Sequence, residues 1–136
     1  MPARSRARKK ALDILYAAEL RSVSAVTYLD RLVEAGEGPS NAYVGLLVRG
    51  VSDHRARIDE LLATYSQGWA LNRMPAVDRN VLRIGVFELL WSEDVPAAVA
   101  VDEAVTLVRD LSTDESPAFV NGVLGAMLRE KDQIGA

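Results

Sequence analysis

The sequence contains no cysteine and a single histidine, His54. Disulfides and thiolate metal sites are therefore excluded. With one histidine, neither a histidine-based metal site nor a catalytic pair is expected, and no nucleophile stands at helical spacing from it. The glycine-rich phosphate motifs GxxxxGK[ST] and GxGxxG are absent, as is any Ser/His/Asp set. The chain is accordingly read as non-enzymatic, with no catalytic residue, metal or cofactor. No apolar run approaches the roughly 18 residues of a membrane span. The basic N-terminus is not followed by the apolar stretch of a secretory signal. A soluble cytoplasmic protein with no membrane partner is expected. Period-two alternation and hairpin dipeptides such as Asn-Gly are also missing, so there is no strand signal.

What is present is apolar sequence with helical spacing. Hydrophobic residues form 49% of 136 residues, enough for one domain or two small bundles sharing a core. The stretch Pro75 to Trp91, PAVDRNVLRIGVFELLW, is apolar nearly all round, the mark of a helix surrounded by others. Its polar residues Asp78, Arg79, Asn80, Arg83 and Glu88 must each reach solvent or a partner. The pattern predicts further helices over Arg4–Leu20, Ser22–Ala35, Asn41 to about Tyr65, Ala98–Leu111 and Ser116 to about Lys131. Ala7, Ala11, Leu12, Leu15 and Ala18 form the inner side of the first, with Ile14 at its margin. Ser116 followed by Pro117 reads as an N-cap and first helical residue. Asp102 and Glu103 read as first-turn acids rather than a hydrolase pair, because adjacent helix residues point apart. Gly45, Gly50, Gly122 and Gly125 are expected at close helix contacts. The fold class is all-α, with six or seven helices in two packed bundles joined near Trp69, about 1–67 and 68–136.

The net charge of −3 conceals an asymmetry. Residues 1–10 hold Arg4, Arg6, Arg8, Lys9 and Lys10 and no acid, while the remainder carries eleven Lys and Arg against nineteen Asp and Glu. A basic arm on an acidic body points to one polyanion contact. Cations at a helix start oppose the helix dipole, so helix stability does not account for them. Arg4 and Arg8 share one face, Arg6 and Lys10 another. Two readings stand for Tyr16: a core aromatic with its hydroxyl at the edge, or a stacking group at the end of the basic ridge. Two also stand for Phe119: core, or an exposed ring beside a helix N-terminus. Cations bind phosphates without reading sequence, and rings stack on unpaired bases. With the acidic Asp114–Glu115 loop, these residues suit single-stranded RNA.

The segments RARKKALDILY, WALNRMPAVDRNVLRIGVFELL, VPAAVAVDEAV and FVNGVL, in that order, resemble the NusB family of bacterial transcription antitermination factors over nearly the whole chain. The resemblance implies an all-helical protein of two three-helix-type subdomains, acting as a single NusB-like domain. It implies binding of boxA RNA in ribosomal RNA transcripts together with NusE, a small-subunit ribosomal protein. It also implies support for an antitermination complex on RNA polymerase. Carried over by motif, Arg4, Arg6, Arg8 and Lys9 of the first helix and Phe119 of FVNG meet the RNA. Tyr16 of the LY pair lies at the RNA or partner surface, Glu115 restrains RNA affinity by repelling phosphate, and Asp78 lies near NusE at an accessible helix end. Ser5 and Ala118 stand where relatives often carry positive charge, and Asp102 where they often carry asparagine. Competing readings are a structural homodimeric scaffold and an accessory domain of ribosomal RNA modification, for which the chain leaves no room for a cofactor-binding domain.

Overall fold

The computed structural model describes residues 2–135. Among them the chain forms eight α-helices and no strand: α1 (Ala3–Leu20), α2 (Ala25–Glu34), α3 (Ala42–Asp53), α4 (Arg55–Tyr65), α5 (Ala76–Trp91), α6 (Ala97–Leu111), α7 (Ser116–Arg129) and a single turn, α8 (Lys131–Ile134). A 3-10 turn, Leu71–Arg73, precedes α5. The helices form two compact units, dividing at His54 and Arg55.

In the first unit α1 buries Ala7, Ala11, Leu12, Ile14, Leu15 and Ala18 against α2 and α3. These are the inner residues expected, Ile14 included. α3 answers with Val44, Leu47, Val48 and Val51, whereas α2 contributes only Leu29. α2 begins later than its pattern suggests. Ser22, at φ 54°, takes the left-handed position that closes α1, with Val23 N–H donating to Ala18 O and Ser22 N–H to Glu19 O. Ser24 then caps α2, its Oγ accepting from Thr27 N–H at 3.1 Å. Asn41 caps α3, accepting from Tyr43 N–H at 2.9 Å.

The helix expected from Asn41 to Tyr65 is broken at His54. Ser52 Oγ donates back to Val48 O at 2.8 Å, one turn behind. Back-bonded serines of this kind bend helices. Because α4 packs on α5 and α7, it belongs to the second unit.

The second unit is built around α5, whose residues 80 to 89 are all buried. Gly85 is what lets α7 approach: a Cβ there would lie 2.7 Å from Leu124 Cδ1. By contrast nothing lies within 4 Å of a Cβ at Gly122, and only Arg129 comes near one at Gly125, so neither glycine serves close packing. The buried polar residues of α5 are all satisfied. Arg83 grips Asp59 of α4 with two donors, Nε at 2.9 Å and Nη2 at 3.2 Å, and reaches Asn80 with the third. Arg79 donates to Leu71 O and Met74 O, at 2.9 and 3.0 Å, which pins the 3-10 turn to α5. α6 begins at Ala97, so Asp102 and Glu103 fall in its second turn and are not first-turn acids.

Candidate nucleic-acid interface

On the first unit, the start of α1 carries the cationic arm. Arg4, Arg6, Lys9 and Lys10 are exposed. The first turn holds no acid and no side-chain cap, so the helix dipole is left uncompensated there. The two charged faces behave differently. The Arg4 guanidinium lies 4.5 Å from the centre of the Tyr43 ring, and that of Arg8 lies 6.0 Å away, within cation–π range. Arg8 is only 3% exposed. It therefore has little surface of its own to offer and lies against the Tyr43 ring. Arg6 and Lys10 line an open cleft of about 290 Å³ with Ser40, Asn41 and Val44. Tyr16, further along α1, is 36% exposed. Its packed-core alternative is thereby disfavoured.

On the second unit, Phe119 is half-buried in the first turn of α7. Its ring centre lies 5.5 Å from that of Trp69, with the planes 41° apart. This tilted pair borders two clefts. One, of about 430 Å³, also touches Arg73, Pro75, Asp78 and Glu115. The other, of about 300 Å³, also touches Tyr65, Ala118 and Gly122. Glu115 is exposed at the first cleft, immediately before α7.

Asp78 departs from expectation. It is 3% exposed rather than accessible. Its two oxygens accept the hydroxyls of Ser112, at 2.6 Å, and Ser116, at 2.8 Å. Ser116 Oγ in turn accepts from Thr113 N–H at 3.2 Å. Ser116 is thus the first residue of α7 and a buried link to α5, not the N-cap, a position that falls to Glu115. Asp78 consequently fastens the 112–116 loop that carries Asp114 and Glu115 and leads into Phe119.

Tyr43 and Arg73 carry no binding signal in the sequence pattern, and Trp69 figures there only as the junction of the two bundles. A tryptophan directly after Gly68, outside any helical apolar row, was the available signal for the last. Gln67 and Gly68 both adopt positive φ, 52° and 91°, before Trp69. For a residue with a Cβ such as Gln67 this costs about 1–2 kcal/mol.

Fold and site together define a protein that is all-helical among its described residues, with a cationic helix in one unit and an aromatic-lined cleft in the other. The chain belongs to the NusB family, whose sequence profile matches residues 5–129. It is 64% identical over 134 residues to the transcription antitermination protein NusB of Nocardioides sp. (strain ATCC BAA-499 / JS614), covering 98% of this chain and 99% of the relative. It superposes on a crystal form of T. maritima NusB with a TM-score of 0.83 at 32% identity, covering 96% of this chain and 92% of that one. A structure of the antitermination factors NusB and NusE in complex with dsRNA matches with a TM-score of 0.78 at 28% identity, over 94% and 98% of the two chains.

Proposed function

We propose that this protein is an RNA-binding transcription antitermination factor. It takes boxA-type single-stranded RNA of ribosomal RNA transcripts together with NusE and supports assembly of the antitermination complex on RNA polymerase. The observation that carries this reading is the exposed set Arg4, Arg6, Lys9 and Lys10 on α1 of an otherwise acidic chain. Positive charge in the first turn of α1 opposes the helix dipole, and the set is chemically suited to phosphate. Relatives named as antitermination proteins support the antitermination role, and a structure of NusB and NusE in complex with dsRNA, which shares the fold, supports RNA and NusE as partners.

In this reading Arg4, Arg6 and Lys9 contact the RNA backbone, while Arg8 supports Arg4 and Tyr43 from below. Phe119 offers a ring to the bases. Glu115 keeps RNA affinity in check by repelling phosphate. Tyr16 belongs to the surface shared with RNA or NusE. Asp78 acts on the site through Ser112 and Ser116 rather than by touching NusE. No helix among the described residues is long and apolar enough to cross a membrane, and we place the protein in the cytoplasm with the transcription machinery. The test is a gel-shift titration of boxA RNA, with and without NusE. The variant Arg6→Ala with Lys9→Ala loses about tenfold or more in affinity; equal binding by variant and wild type overturns the assignment.

A further inference from the structure

We propose that Trp69 is a nucleobase-stacking residue: with Phe119 it forms an aromatic wall on which an unpaired base of single-stranded RNA stacks in the cleft bordered by Arg73 and Glu115. This rests on the RNA-binding reading above and adds to it a residue and a ligand class.

Four observations converge on Trp69. It is 55% exposed, an unusual position for the largest apolar side chain. It is held there by construction. Trp69 N–H and Ser66 O lie 3.3 Å apart, Ser66 Oγ donates to Trp69 O at 2.7 Å, and Arg79 secures the following turn through two carbonyls. The approach to it runs through two successive left-handed residues, one of them not glycine. Strain of this kind persists where surrounding structure enforces it, and it collects at functional sites. Finally, Trp69 does not fold back into the core but pairs with Phe119, and the two residues border both clefts.

The chemistry of the larger cleft selects its occupant. Its body is aromatic and apolar, with Pro75 beside the rings. Arg73 and Glu115 border it and are exposed. A base has a flat π-face for the rings, and its flanking phosphate suits Arg73, whereas Glu115 turns phosphate away from its side. Stacking of this type is tolerant of base identity and needs the base to be unpaired.

The experiment uses the full chain, a boxA-type single strand, and the same sequence annealed as a blunt duplex. Trp69→Ala lowers affinity for the single strand by about tenfold; Trp69→Phe, which keeps a ring, restores most of it. Tryptophan fluorescence of the wild type is quenched by the single strand and not by the duplex. In Trp69→Phe, where Trp91 alone emits, the quench disappears. If the wild type binds the single strand without a quench and Trp69→Ala binds it equally well, the stacking role is refuted while the RNA reading stands. A quench of equal size with the duplex, or a loss in Trp69→Ala confined to NusE binding, also refutes it. If the wild type binds no RNA, both proposals fall.

Discussion

Asp78 occupies a position where a carboxylate is costly unless both oxygens are used, and both are. Replacing it with alanine leaves two buried or half-buried hydroxyls without their acceptor. Asp78→Ala is expected to destabilise the protein by about 1–3 kcal/mol, measured by urea unfolding. The double variant with Ser116→Ala should cost less than the sum of the two single changes, since one interaction is removed twice. Strict additivity would show that the two side chains are not coupled. The sequence marked Asp78 as an anomaly on an apolar helix, and that much was correct. Which way it faces was not legible, because its partners Ser112 and Ser116 lie 34 and 38 residues away and look like ordinary loop and cap residues. Trp69 was hidden for a related reason: its exposure depends on a left-handed Gln67, and glutamine carries no signal for that conformation.

At the level of elements, the helical faces were readable because 3.6-residue spacing is imposed by the core. The inner row of α1 is buried as its pattern requires, and residues 80 to 89 of the nearly all-apolar α5 are buried too. The break between α3 and α4 was not readable, since apolar spacing continues through it and His54 is no helix breaker. The glycines separate packing from tolerance. Gly85 faces a fully buried Leu124, so Gly85→Val should destabilise by about 2 kcal/mol or more. Gly122 is exposed in mid-helix with nothing within 4 Å, so Gly122→Ala should stabilise by about 0.5–1 kcal/mol. Thermal melts followed by circular dichroism distinguish the pair; similar shifts for both would contradict the packing described for α5.

For the whole molecule the governing quantity is charge distribution. A net charge of −3 disfavours polyanions, yet α1 presents a local excess of cations. Glu115 works against that excess, so Glu115→Gln is expected to raise RNA affinity by a few fold at low salt, with the gain shrinking as ions screen it. Fluorescence anisotropy at two salt concentrations checks this, and a gain independent of salt would point to a contact other than phosphate repulsion. The arm itself was legible as a run of cations without acids. What the sequence did not reveal is that burial removes Arg8 from the exposed set while Arg4 rests against Tyr43. The most direct test of the account is the salt dependence of RNA binding by the wild type and by Arg6→Ala with Lys9→Ala. For single strands each phosphate contact contributes about 0.7 to the slope of log affinity against log salt. The account predicts weaker binding by the variant and a slope shallower by about 1.4; identical affinity and slope would contradict it.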